Sequence, residues 1–246
     1  MKKLTILLAL LTTAMLQAQI INIEEEEKEG WNYQITPYFW FTGISGDIDF
    51  RNQNIPVSVD FSDLMEKFSF GALLHAEASK DRWFIMGDLV YIKLTKDGTI
   101  ERINVPAELE LRQIIAEIGG GYNLFNSQNW LFVDVFGGLR YFDISNEINA
   151  AGVTVLDRTT NVNDPFVGVR FKTVTEKWIN SARIDAGGLG IGSDISWKAN
   201  IFVGYRFSEL FSVLLGLQGY GIDYKKDDFR LKFNYAGIAT GVNFTF

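Results

Sequence analysis

The sequence predicts an all-β fold, a closed antiparallel transmembrane β-barrel of ten strands. Three observations predict it: apolar and polar residues alternate in short runs, no run of eighteen apolar residues follows the N-terminus, and aromatic residues collect at the ends of the alternating runs. The apolar fraction of 47% is too high for a disordered chain. Its scatter excludes a membrane protein built from spanning helices.

The N-terminus reads as a signal peptide, 1–18. Met1-Lys2-Lys3 precede an apolar run at 4–16 that is too short to cross a bilayer, and cleavage after Ala18 leaves Gln19 first. Residues 19–30 follow as an acidic periplasmic tail whose run at 24–27 is a solvated feature. The formal charge of −7 becomes −9 once Lys2 and Lys3 are removed, which argues against a nucleic-acid partner. The chain has no cysteine, so a lipoprotein anchor, disulfides and thiol chemistry are excluded.

The barrel itself occupies 31–246. Ten alternating segments are marked at 31–48, 68–79, 83–95, 106–124, 130–145, 164–174, 178–191, 196–207, 211–224 and 229–246. Dropping the glycine-rich seventh segment and a neighbour would give eight. Tight gaps at Lys80-Asp81-Arg82, 125–129, Thr175-Glu176-Lys177 and Ser208-Glu209-Leu210 alternate with long polar stretches around 49–67, 96–105 and 146–163. Short turns on one side and longer loops on the other place both termini on the periplasmic side.

Within segments the period is two. Trp197, Ala199, Ile201, Val203, Tyr205 and Phe207 interleave with Lys198, Asn200, Phe202, Gly204 and Arg206. Trp31, Trp83, Trp130, Trp178, Phe207 and Phe211 lie beside the short turns, with Tyr91 and Tyr141 further up the same face. Amphipathic rings settle at headgroup depth, so this is the pattern of two interfacial girdles, whereas a soluble sandwich has no reason to space its aromatics so. With the apolar face on lipid, the opposite parity sends Glu77, Asp88, Glu117, Asp134 and Asp185 into the lumen with Arg140, Arg170, Lys172, Arg183, Lys198 and Arg206. Ten strands leave a narrow interior in which buried charges should pair, so a salt-bridged plug is expected.

The C-terminal Gly241-Val242-Asn243-Phe244-Thr245-Phe246 resembles the closing-strand signal of bacterial outer-membrane barrels, with Ala239 departing from the usual polar residue. That resemblance implies an outer-membrane address and the barrel-assembly machinery as a partner, with Gly241, Phe244 and Phe246 as its signal. The block Trp31, Pro37-Tyr38-Phe39-Trp40, Gly43, Gly46 and Asp60-Phe61-Ser62-Asp63-Leu64 resembles the first hairpin of a group of small Gram-negative barrels without an assigned activity. It covers the first third of the chain.

Motifs for chemistry are sparse. His75 is the only histidine, and its parity puts it in the lumen beside Glu77, near the periplasmic end. The membrane hydrolases that this architecture resembles work at the outer leaflet or the extracellular rim. No second histidine and no cysteine exist to build a metal centre, so neither metal nor cofactor is expected. The clusters Gly119-Gly120-Gly121 and Gly187-Gly188-Leu189-Gly190-Ile191-Gly192 lack the strand-to-helix context of a nucleotide loop and read as relief of strand curvature. Ser62 and Asp63 would cap a short helical turn at 64–68 in the first long loop.

The expected function is therefore a non-enzymatic, structural or surface-interaction role through the loops at 49–67 and 146–163, in a monomer whose partner is outer-membrane lipid. The alternative is a narrow, porin-like gated channel for small solutes lined by Arg140, Arg170, Arg183 and Arg206. A third reading is a lipid or peptide hydrolase using His75 and Glu77.

Overall fold

The computed structural model describes residues 30–50, 53–59, 71–100, 105–127, 130–150, 152–227 and 229–246. The signal segment, the acidic run and the expected helical turn lie outside these residues. Alternation becomes eleven strands: β1 Asn32–Phe50, β2 Gln53–Val59, β3 Gly71–Lys80, β4 Trp83–Ile100, β5 Val105–Ser127, β6 Leu131–Ala150, β7 Val153–Val174, β8 Trp178–Gly187, β9 Ile195–Arg206, β10 Phe211–Lys226 and β11 Phe229–Thr245. All neighbours are antiparallel, and β11 closes on β1 from Gln34↔Thr245 to Phe50↔Phe229. Beside β1, β3 fills the lower part of the second position, through Trp40↔Gly71, and β2 fills the upper part from Ile44↔Val59. The wall is thus a closed barrel of ten positions.

The apolar outer face is where bilayer contact is expected. Trp83, Trp130, Trp178 and Phe207 are exposed beside the short turns, and Tyr91 and Tyr141 mark the other rim. Tyr91 lies eight residues beyond Trp83 and Tyr141 eleven beyond Trp130. At about 3.3 Å per residue and a tilt of about 40°, these rims stand roughly 20–28 Å apart, which matches a hydrocarbon band of about 25 Å.

Above that rim the alternation changes phase. On β6, Val133, Val135, Leu139 and Tyr141 face out while Asp134 and Arg140 face in; beyond Tyr141, Asp143, Ser145 and Glu147 face out while Phe142 and Ile144 are buried inside. β5 inverts between Glu117 and Ile115, β7 between Asp164 and Val162, and β11 between Ile238 and Asn234. The cause is the change of solvent: lipid covers the outer face in the membrane, and water covers it above.

The polar stretches around 49–67, 96–105 and 146–163 were expected as loops, and much of each is strand. β1 runs to Phe50, β4 to Ile100, and β6 and β7 reach Ala150 and Val153. The asymmetry between the two ends persists, but it is carried by strand extensions. These form two ridges, β2-β1-β11-β10 and β4-β5-β6-β7. Between them β8 stops at Gly187, so β7 pairs with it only from Phe166 to Val174. Ile44, Ile48, Leu231 and Phe233 of one ridge share a buried cluster with Ile92, Leu111, Ile144 and Val162 of the other. Arg158 lies 3.9 Å over the Phe229 ring, joining the ridges above the notch.

Candidate functional site

The candidate site is the polar layer inside the barrel beneath that apolar core. Strand register builds it. Asp88, Glu117, Arg140 and Asp164 are successive partners across β4 to β7, and Asp185, Lys198 and Tyr220 are successive partners across β8 to β10. Each points inward because its outward neighbours meet lipid.

Arg140 is fully buried and ties the two rows together. It donates to Glu117 at 2.8 Å, to Asp185 at 2.5 Å and to the Ser196 hydroxyl at 3.2 Å, and its guanidinium lies over the Phe166 and Tyr220 rings. Arg183 reaches Asp185 at 2.7 Å, Glu117 at 2.9 Å and Asp88 at 3.3 Å. Lys198 stands 3.3 Å from Glu117 and 3.4 Å from Asp88, and the Tyr220 hydroxyl donates to Glu117. Lower down, Arg170 donates to Glu77 and, at 2.8 Å, to Asp134, which also accepts from Asn123 at 2.6 Å. These links cross the lumen from β8 to β4 and from β7 to β3. Charged hydrogen bonds of this length are the strong class, and here they clamp opposite walls.

The remaining residues sit around this cluster. Lys172 lies 5.0 Å from the Phe132 ring, and Arg206 faces inward, half-buried, at the periplasmic end of β9. His75 Nδ1 is 3.1 Å from Asp88, and its Nε2 is 3.9 Å from Glu77. On the closing strand, Phe244 pairs with Ile35, Gly241 pairs with Tyr38, and Phe246 exchanges backbone hydrogen bonds with Tyr33. Ala239 is fully buried opposite Trp40, where a polar side chain would lose its water.

Sequence reasoning missed Asp164, Tyr220 and Ser193. Asp164 is fully buried and accepts from the Ser193 backbone at 2.7 Å and from its hydroxyl at 2.6 Å. Extending the inward parity of Arg170 and Lys172 back along β7 would have found it. The second glycine cluster also differs from expectation. Gly119-Gly120-Gly121 lies within β5, but Gly188, Leu189 and Gly190 have φ of 79°, 50° and 82° and make the tight turn after β8. Left-handed backbone favours glycine there, and Asp164 pins the turn through Ser193.

Chemically the layer is a set of mutually satisfied ion pairs. Among the described residues, no group of three His, Cys, Asp or Glu is placed to hold a metal ion.

No family model and no curated protein matches the sequence. Solved structures match in fold. The outer-membrane protease OmpT from Escherichia coli aligns over 92% of this chain and 100% of its own, with a TM-score of 0.54 at 8% identity. The attachment invasion locus protein Ail of Yersinia pestis aligns over 89% and 99%, with a TM-score of 0.45 at 10% identity. The translocator domain of the autotransporter NalP from Neisseria meningitidis aligns over 98% and 97%, with a TM-score of 0.49 at 11% identity. At such identities the likeness to OmpT is one of fold, a closed antiparallel barrel of the outer-membrane type.

Proposed function

We propose that this outer-membrane β-barrel is a non-conducting, non-enzymatic anchor whose membrane-distal ridges serve as an interaction surface. The observation that carries the reading is the pair of stacked seals in its interior. The ion-paired layer fills the barrel at the level of Arg140, and above it Leu111, Ile144, Leu231 and Phe233 are fully buried. An ion or polar solute following the axis would have to shed its water against that apolar layer.

The ridges, rather than loops, present the surface. Their outward faces carry polar rows such as Arg112, Ser145 and Thr159, with Ser145 and Thr159 hydroxyls 3.0 Å apart, and Asn161 and Asn163 exposed nearby. OmpT is a protease, but in this chain the single histidine lies below the apolar core against Asp88, away from the outer rim. That position favours a structural imidazole over a catalytic base.

In planar bilayers the folded protein is expected to give no unitary conductance. Steady open-channel steps would overturn the sealed reading. The full chain is expected to confer surface adhesion on expressing cells, and a variant with the β6–β7 hairpin cut back to the Tyr141–Asn163 pair should still insert and show heat-modifiable gel mobility while lacking that adhesion. Undiminished adhesion would contradict the role given to the ridges.

A further inference from the structure

The outer wall carries a groove of about 990 Å³. Its course follows the register: Ile85 faces Gly120, Gly120 faces Gly137, Gly137 faces Val167, and Val167 faces Ala186. The two glycines leave bare backbone as a floor, while Ile85, Val167 and Ile184 stand exposed along its lips. The row continues to Trp197 on β9, so it crosses five strand spacings of about 4.8 Å each, roughly 24 Å in all. Because the strands tilt, the groove runs obliquely through the bilayer.

One end opens at the periplasmic girdle, beside a turn in which Lys80 and Arg82 flank Asp81 and leave a net positive charge. Trp83 and Tyr122 pack edge to face at 4.8 Å at the mouth, with Trp31 beside them. Lys80 is the cross-strand partner of Trp83, lies one step beyond the Asn32↔Ser79 pair, and is therefore set between the Trp31 and Trp83 positions on the outer face. Arg82 is exposed in the adjoining turn. Indole rings settle at headgroup depth, and lysine or arginine at that depth attracts lipid phosphate.

We propose that this groove is a binding site for one anionic glycerophospholipid of the periplasmic leaflet. An acyl chain lies over Gly120 and Gly137, and the phosphate is held by Lys80 and Arg82. The site is independent of the ridges, so it stands or falls apart from the functional reading above.

Native mass spectrometry tests it on delipidated protein in detergent micelles, titrated with phosphatidylglycerol or phosphatidylcholine of matched chains. The wild type should retain one phosphatidylglycerol at concentrations roughly 5- to 10-fold below those needed for phosphatidylcholine. Gly120→Leu fills the groove. A Cβ there would meet the Phe84 carbonyl at 3.4 Å and the Ile85 side chain at 3.9 Å, so the wall can keep its shape. That variant should lose the retained lipid, as should Ile184→Trp, which fills the groove from its lip without touching the floor. Lys80→Gln with Arg82→Gln should retain the two lipids equally. Equal retention of both lipids by the wild type would overturn the proposal, because it would mean ordinary annular lipid. So would wild-type retention of phosphatidylglycerol by either filled variant with normal heat-modifiable mobility.

Discussion

Arg140→Met is expected to destabilise the barrel by about 3–5 kcal/mol, the cost of removing one partner from a buried ion cluster. The side chain has no exposed surface and three hydrogen-bond acceptors, Glu117, Asp185 and Ser196. Methionine replaces its volume but leaves two carboxylates without that donor. Arg183 still serves both, which keeps the loss from being larger. Adding Asp185→Asn should return part of the loss by lowering the excess negative charge left in the layer, and a double-mutant cycle from guanidinium unfolding in micelles measures the coupling. An Arg140→Met protein as stable as the wild type would mean that the layer is hydrated and weakly coupled.

Phe233→Ala is expected to have a comparable effect in a different place. Phe233 is fully buried between the ridges and packs edge to face on Tyr235 at 6.2 Å. Truncating such a ring costs about 3–5 kcal/mol in lost transfer energy and cavity formation. The loss should fall on the ridges, since the ion-paired layer beneath them is untouched. Trypsin should then cut at Arg230 and Lys232, whose backbone is paired to β1 and β10 and is expected to resist cleavage in the wild type, while the membrane band keeps its heat-modifiable mobility. Loss of the whole barrel, or no change in cleavage, would show that the ridges do not form a separate apolar core.

The barrel was legible because lipid and lumen impose opposite demands on alternate residues. Trp197 through Phe207 displays that conflict in a single strand, and the same parity sends Asp88, Asp134 and Arg183 inward. The ridges were not legible as strands. In 146–163 most outward residues are polar, among them Glu147, Asp157, Thr159, Asn161 and Asn163, so mean hydropathy falls and the stretch resembles a loop, although Val162 keeps the inward period. The phase change at Tyr141 and Phe142 was present in the sequence, but it acquires meaning only once the solvent on the outer face is known to change at that height. The partners of Glu117 were also out of reach. Parity gives a side and a level, but not that Tyr220, Arg140, Arg183 and Lys198 converge on one carboxylate.

Amide hydrogen exchange in micelles tests most directly the proposed seal, the apolar core that the two ridges share above the membrane. The amides of Leu111, Ile144, Val162 and Leu231 are expected to exchange as slowly as those of the membrane band, because their strands are paired and their side chains are buried. Exchange at the rate of an unstructured peptide at these positions would contradict it, and would return those segments to open loops above an unsealed lumen.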